Sequence, residues 1–189
     1  MIKKIVIVIV IVIVLFAIYF GSYLPFVKAQ RYISVISKIS LIKTPKQFEE
    51  EFGKIFNFYS PIGDEETAKF AANVLINPID DKNQPEIASR FLGEYMESKL
   101  KKDDVKHLII LGQIYESLWK KSGKESDFIK SEEYFRKALS IAPKLPPVLY
   151  ELFNLYQLKG DTEKLKQISE TILKYWPEDE RIKEIIKSL

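Results

Sequence analysis

With 189 residues, 47% hydrophobic and 29% charged, the chain has room for one domain or one modest domain and an appendage, and extensive disorder is excluded. Of its 29 Lys+Arg, Lys3 and Lys4 lie at the start, so the rest of the chain carries 27 basic and 26 acidic residues, a balance that argues against a nucleic-acid-binding face. It has no cysteine and one histidine, which excludes disulfides, cysteine-ligated zinc and thiol chemistry and leaves little for other metal or acid–base sites.

The first predicted element is a membrane-spanning helix over residues 5–27, preceded by a short tail, residues 1–4. These 23 residues contain no charged residue and no histidine. As a helix they extend roughly 35 Å, enough to cross a hydrocarbon core of about 30 Å. The run IVIVIVIVIV alternates two apolar residue types, so its period of two assigns no polar face. A lone strand in lipid would also leave its backbone hydrogen bonds unsatisfied, and we therefore predict a helix.

A cleavable signal peptide is the alternative interpretation of the same segment. Lys3 and Lys4 would form its basic start, and Val27-Lys28-Ala29 would be the small-residue site before Gln30. The apolar run is longer than the usual core of about 7–15 residues, and the bulky Pro25-Phe26 lies close to the site. Both features favour an anchor.

The orientation of the span is predicted from the charges around it. The basic residues that come soon after it are Lys28, Arg31, Lys38, Lys43 and Lys46. A positive-inside count would keep the C-terminal domain in the cytoplasm. However, an anchor with four residues ahead of it commonly exports the domain on its C-terminal side, and long domains translocate largely regardless of charge. We therefore expect a single-pass membrane protein with an extracytoplasmic soluble domain.

The segments after the span are predicted to be helical. Residues 28–43 show the apolar spacing of a short amphipathic helix that lies on the membrane or continues the anchor. Residues 44–102 are predicted to form non-consensus helical hairpins, beginning with Thr44 as an N-cap and Pro45 at the first helical position. Because no stretch alternates polar and apolar residues as a half-buried strand does, the predicted fold class is all-α.

Residues 103–189 contain an internal repeat. Pro143 and Pro177 are 34 residues apart, and each closes a segment of similar apolar spacing. The first segment contains HLIILGQIYESL and YFRKALSIAP; the second contains LYELFNLYQLKGD and EKLKQISETILKYWP. This region resembles tetratricopeptide repeats. The predicted architecture is therefore an N-terminal transmembrane helix followed by a tetratricopeptide-like solenoid of helical hairpins with a C-terminal capping helix.

Individual residues are assigned roles by this repeat. Small residues at Gly112 and Ala138 allow two helices to approach closely. Larger residues at Tyr115, Phe135 and Tyr156 fill the space between helices. Gly160-Asp161 forms the turn within the second repeat, with glycine closing one helix and aspartate capping the next. The predicted capping helix, residues 180–189, carries the apolar residues Ile182, Ile185, Ile186 and Leu189.

Two departures from the repeat pattern are visible. The first repeat has about seven extra residues around KKSGKESDFIK, so we expect a longer inter-helix loop or a longer second helix. In the second repeat, Phe153 stands where a small residue is expected and Ser169 where an aromatic residue is expected.

A narrower resemblance covers nearly the whole chain. The order of an anchor, FEEEFGKIFNF, GDEETAKFAANVL and an extended repeat is similar to the C-terminal tail of some bacterial O-antigen ligase/polymerase-type proteins. Those enzymes have many membrane spans and a charged extracytoplasmic loop, which have no counterpart here. This resemblance implies an alternative function, an accessory or remnant tail in envelope-glycan assembly, which neighbouring genes for glycosyltransferases or flippases would favour.

No catalytic, cofactor-binding or metal site is predicted, and we expect a protein that is not an enzyme. His107, after Asp103-Asp104, is interpreted as part of a helix N-terminus, where acidic residues suit the helix dipole. The repeat resemblance instead implies a concave protein-binding groove on the first helices, formed by Lys106, Ile109, Gln113, Glu116, Ser117, Tyr150, Asn154 and Gln157. Its mixed polar and aromatic character suits an extended peptide or a helix of another protein. Ile109 and Tyr150 stand where a clamp for a chaperone's C-terminal carboxylate would need lysine.

The predicted function is therefore a membrane-anchored scaffold for protein–protein interaction at the cell envelope. Its expected partners are a protein or peptide and, through residues 5–27, the membrane, but no nucleic acid.

Overall fold

The computed structural model describes residues 2–188, in which the regular elements are helices and no strand is present, so the all-α prediction is confirmed. The helices are α1 (Ile2–Ile18), α2 (Leu24–Ile36), α3 (Pro45–Phe56), α4 (Asp64–Asp80), α5 (Glu86–Glu97), α6 (Val105–Ser122), α7 (Glu125–Ile141), α8 (Pro146–Lys159), α9 (Thr162–Tyr175) and α10 (Glu180–Ser188). The chain divides into two compact units, unit 1 before and unit 2 after the division between Val74 and Leu75 within α4.

The N-terminal helix is longer than the predicted span. Together α1, a π-helical turn at Tyr19–Tyr23 and α2 make one 35-residue helix, Ile2–Ile36, which is long and apolar enough to cross a membrane. None of its most apolar stretch is buried in protein. Of the two alternatives predicted for residues 28–43, continuation of the anchor is present, because the same helix continues to Ile36. Only a 3-10 turn, Ile39–Leu41, comes after it. The π-helical turn lies just before Pro25, whose ring would clash with the Gly21 carbonyl in a regular α-helix.

In unit 1, α3 packs against α2. The predicted cap is present, since the Thr44 side chain accepts a hydrogen bond from the Gln47 N–H over 3.2 Å. The buried face of α3 consists of Phe48, Phe52 and Ile55, spaced as one side of a helix. The rings of Phe48 and Phe52 stack with their centroids 4.1 Å apart.

In unit 2, α6 and α7 pack closely around Gly112, as predicted. A Cβ atom at this position would lie 2.3 Å from the ring of Phe135, which is fully buried. The Ser131 hydroxyl donates a hydrogen bond of 2.9 Å to the Gly112 carbonyl, which the short distance between the helices allows. The predicted large residues Tyr115, Phe135 and Tyr156 are all buried. This hairpin is compatible with the predicted solenoid.

The extra residues of the first repeat lengthen its helices. Helices α6 and α7 have 18 and 17 residues, whereas α8 and α9 have 14 each. Only Gly123 and Lys124 separate α6 from α7, with Gly123 in the left-handed conformation at φ 69°. The predicted longer second helix is therefore present, the first helix is longer too, and the predicted longer loop is absent.

The second hairpin exchanges large and small residues between its helices. Phe153 on α8 and Ser169 on α9 are both buried, so the bulky side chain lies on the first helix rather than the second. Gly160 has φ 74°, and the Asp161 side chain accepts a hydrogen bond of 3.0 Å from the Lys164 N–H, which is the predicted turn. Pro143 and Pro177 each lie two residues beyond the end of a second helix.

The predicted capping helix is present as α10, which packs against α9. Ile182 is buried, and Ile185 and Ile186 pack against the same core cluster. Leu189, which the repeat pattern assigns the same role, lies outside the described residues.

Candidate protein-binding face

The candidate site lies where the first helices of the two hairpins, α6 and α8, contact each other. Gln113 of α6 donates a hydrogen bond of 2.6 Å from Nε2 to Oε1 of Glu151 on α8. Gln113 belongs to the predicted groove, whereas Glu151 does not. When the two repeats are aligned with a shift of 41 residues, LIILG (residues 108–112) matches LYELF (residues 149–153). Glu151 then occupies the repeat position of Ile110, which is buried. The repeat pattern therefore assigns this position to the core.

Glu116 and Glu151 form a pair of half-buried carboxylates on this face. The side chain of Glu116 is 12% exposed, and its nearest cation is Lys120, one turn further along α6 at 3.5 Å. Burial raises the pKa of the Glu116 carboxyl, and the charge of Glu151 adds to this against the opposing charge of Lys120. Burial also raises the pKa of the Glu151 carboxyl, while the hydrogen bond from Gln113 lowers it. The face is therefore acidic and incompletely neutralised.

A pocket of about 440 Å³ adjoins this pair. It is lined by Asp80, Lys82, Ser117, Lys120 and Lys121. Lys120 contacts Asp80 at 3.2 Å as well as Glu116, and Lys121 donates hydrogen bonds to the backbone carbonyls of Asp81 and Gln84. The ammonium groups of Lys120 and Lys121 are therefore already engaged by other groups of the protein. Ser117, which the repeat alignment predicts to face away from the core, is instead buried at the pocket wall.

The remaining predicted groove residues are dispersed. Lys106, Asn154 and Gln157 are exposed, and Ile109 is half-buried against the apolar core. Tyr150 is half-buried, but its hydroxyl donates a hydrogen bond to the Asp179 carboxylate. Because Asp179 caps α10 by accepting from the Ile182 N–H, Tyr150 joins α8 to the capping helix. The structure thus brings Gln113 and Glu116 together with Glu151, and assigns Tyr150 a structural contact.

The single histidine lies at the N-terminus of α6, as predicted. His107 is buried, its backbone N–H donates a hydrogen bond of 3.0 Å to the Asp104 side chain, and its Nδ1 accepts one of 3.0 Å from the Lys101 backbone N–H. Asp104 is the N-cap of α6. Within residues 2–188, no group of three or more His, Cys, Asp or Glu side chains is placed to hold a metal ion.

A second polar cluster surrounds Glu97 at the end of α5. Its carboxylate accepts hydrogen bonds from the hydroxyls of Tyr115 and Tyr134 and contacts Lys102 at 3.0 Å and Lys130 at 3.3 Å. Burial acts to raise the pKa of the Glu97 carboxyl, but the hydrogen bonds from Tyr115, Tyr134 and Lys102 outweigh it and lower the pKa to about 2. Since the carboxylate is saturated by protein donors, this cluster links α5, α6 and α7 and offers no open site.

Comparison of the chain with protein-family models, with curated proteins and with solved structures finds no match. The two resemblances carried by its residues therefore stay predictions.

Proposed function

We propose that this chain is a membrane-anchored helical-repeat protein that binds a basic segment of another protein on its α6–α8 face. The observation that carries the proposal is the pair Glu116 and Glu151, two half-buried carboxylates on neighbouring first helices. Among the described residues, Glu151 is paired with the neutral amide of Gln113. Lys120 is a single cation that acts on both carboxylates. A lysine or arginine from a partner would supply a second positive charge, and its attraction is strengthened by partial exclusion of water.

Membrane anchoring is supported by the continuity of the N-terminal helix. The site at which a signal peptidase would cut, after Ala29, lies inside α2. Cleavage there would remove Lys28, which is buried and contacts the Phe58 carbonyl and the Asp64 carboxylate. Retention of the segment as an anchor keeps these contacts. We propose that the soluble part lies on the extracytoplasmic side, at the cell envelope.

The anchor is tested by extraction of membranes with alkaline carbonate. The full-length chain is expected to stay in the membrane pellet. Release of the full-length chain, or recovery of a chain that begins at Gln30, would contradict the anchor.

The binding face is tested by selecting peptides from a randomised display library on the full-length chain in detergent micelles. Lysine- or arginine-containing peptides are expected among the binders. Their affinities are then measured by fluorescence anisotropy with wild type, Glu116→Gln and Glu151→Gln. Because each substitution removes a charge at a partly desolvated contact, each is expected to weaken binding by at least about tenfold.

Glu133→Gln is the matched control, since Glu133 is an exposed carboxylate on the second helix α7. It should leave the affinity unchanged. Equal affinity for all variants, or an equal loss in the Glu133 variant, would show that the α6–α8 face is not where the peptide binds.

A further inference from the structure

We propose that the loop of residues 57–63, here called the juxtamembrane loop, inserts its apolar side chains into the headgroup region of the membrane that holds the anchor. This inference rests on the proposed anchor and adds a second point of contact with the lipid. The loop's proposed binding partner is the lipid surface itself. All residues of the loop belong to unit 1.

The loop lies beside the start of α2. Lys28 donates a hydrogen bond of 3.2 Å to the Phe58 carbonyl, whereas Arg31 donates one of 3.2 Å to the Lys54 carbonyl. The later residue of α2 thus contacts the earlier residue of the second segment, so α2 and α3 are antiparallel. Helix α3 leads the chain back along α2, and the juxtamembrane loop begins at the end of α3 nearest the anchor.

Ile62 fixes the level of the loop more closely. It lines one cavity of about 230 Å³ together with Pro25 and Ala29 of α2 and with Phe70 of α4. The ion pair between Lys28 and Asp64 ties the end of the loop to the same turn of α2. The loop is thus level with residues 25–29 of the long helix.

These residues lie at the edge of the hydrocarbon core. About 20 helical residues cross a core of about 30 Å, and the uncharged stretch covers residues 5–27. The core boundary therefore falls between residues 24 and 27, which places Lys28 about 1.5–6 Å outside it. Each interfacial layer is about 5–7 Å thick, so the level of Lys28 lies within it or at its outer edge.

The composition of the loop suits that position. The stretch IFNFYSPIG, residues 55–63, contains no charged residue. Tyr59 and Ile62 are 68% and 57% exposed, and Phe26 of α2 at the same level is 60% exposed. Single exposed apolar residues are ordinary on protein surfaces, but several at one membrane level form an interfacial surface. Tyrosine is enriched there because its ring is apolar and its hydroxyl is polar.

The charges beside the loop are of both signs. Asp64 and Glu66 are exposed next to the loop, and the Lys28 ammonium is paired with Asp64. The guanidinium carbon of the exposed Arg31 lies 4.1 Å from the centroid of the Phe58 ring. Phosphatidylcholine, whose headgroup carries no net charge, is accordingly the test lipid, because it separates apolar insertion from charge attraction or repulsion.

The experiment uses the absence of cysteine from the chain, so that one introduced cysteine carries a single spin label. Full-length Tyr59→Cys and Ile62→Cys variants are reconstituted singly into phosphatidylcholine nanodiscs. Electron paramagnetic resonance then compares the accessibility of each label to oxygen, which concentrates in lipid, and to a water-soluble nickel complex. Circular dichroism confirms the helical content of each variant.

Two control positions bracket the loop. Phe16→Cys lies inside the proposed span and reports the anchor alone. Leu41, the site of the second control Leu41→Cys, is 71% exposed and lies beyond the end of α2, whose Ile36 lies about 18 Å along the helix from Leu24. Phe16 should favour oxygen strongly, Leu41 should favour the nickel complex, and both loop positions should be intermediate and shifted toward oxygen.

Loop labels as accessible to the nickel complex as Leu41, with Phe16 in lipid, would overturn the inference and leave the anchor intact. Loop labels shielded from both reagents would also overturn it, because a protein partner or a second copy would then cover the loop. A Phe16 label in water would instead refute the anchor and, with it, this inference.

Discussion

Replacing Gly112 by alanine tests the close packing of α6 on α7. The added Cβ would lie 2.3, 2.5 and 2.6 Å from three atoms of the Phe135 ring, which is fully buried. Protein interiors are close-packed, so the ring cannot move without displacing its neighbours. Overpacking of this kind costs about 1–3 kcal/mol, whereas alanine gains about 1 kcal/mol over glycine inside a helix. Because three contacts fall well below 3.0 Å, we take the upper part of the overpacking range, about 2–3 kcal/mol, and expect a net loss of about 1–2 kcal/mol in the free energy of unfolding.

Two other helical glycines provide a graded comparison. A Cβ at Gly93 would lie 2.9 Å from Cγ2 of Ile114 and 3.1 Å from Cδ1 of Leu118, which are milder overlaps than those at Gly112, so a smaller loss is expected. A Cβ at Gly53 would approach only the exposed Asn57 amide, at 3.3 Å. Gly53→Ala should therefore keep or gain stability, by up to about 1 kcal/mol.

The assay is urea unfolding of the full-length variants in detergent micelles, monitored by circular dichroism. Fluorescence adds a probe specific to unit 2, because Trp119 and Trp176 both lie in it. Phe135→Leu in the Gly112→Ala background should recover part of the loss, so the double variant is more stable than the sum of the single changes predicts. Wild-type stability for Gly112→Ala, or no coupling to Phe135, would refute the packing argument.

Three further predictions concern polar contacts. The folded-state pKa of Glu97 is lowered to about 2 from 4.5, so its charge stabilises the fold above about pH 4.5, and this stabilisation is lost as the pH falls toward 2. Glu97→Gln should therefore lower the free energy of unfolding by about 2–3 kcal/mol at pH 7 and by much less at pH 3, as measured by urea unfolding at both pH values. The raised pKa of Glu151 means that its charge opposes folding at pH 7, so Glu151→Gln should raise the unfolding midpoint while it weakens peptide binding; lower stability would contradict this. Tyr150→Phe removes the hydrogen bond to Asp179 and should speed hydrogen exchange of α10, measured by mass spectrometry, with α3 amides as the unaffected reference.

The helical class, the hairpin turns and the core glycine are predictable from local patterns. The turn at Gly160-Asp161 and the helix start at Thr44-Pro45 are each recognised from a few neighbouring residues. The repeat is recognised from the 34-residue spacing between Pro143 and Pro177. The conformation of the seven extra residues is not, because KKSGKESDFIK is compatible with either loop or helix. Packing of α6 along α7 favours helix on both sides of Gly123.

The candidate site is only partly predictable, because its polar contacts join residues that are distant in the chain. Gln113 and Glu151 are 38 residues apart, and the Glu97 carboxylate meets hydroxyls 18 and 37 residues away. No periodic pattern encodes such pairs. Tyr150, a groove position by repeat alignment, also donates a hydrogen bond to Asp179 at the start of the capping helix, 29 residues away, and no local pattern predicts that contact.

The π-helical turn at Tyr19–Tyr23 has a consequence for the rotational phase of the N-terminal helix. Each residue of an α-helix turns the chain by about 100°, so removal of one residue from this turn would rotate all of α1 by about that angle relative to α2. The faces of α1 are chemically alike, because most of its residues are isoleucine or valine. The π-helical turn nevertheless determines which of these residues point in the same direction as Lys28 and the juxtamembrane loop. A helix that pairs with one face of α1 within a bilayer would therefore have one defined orientation relative to α2 and α3. Insertion or deletion of a single residue in the turn should change that orientation, whereas exchange of isoleucine for valine in α1 should not.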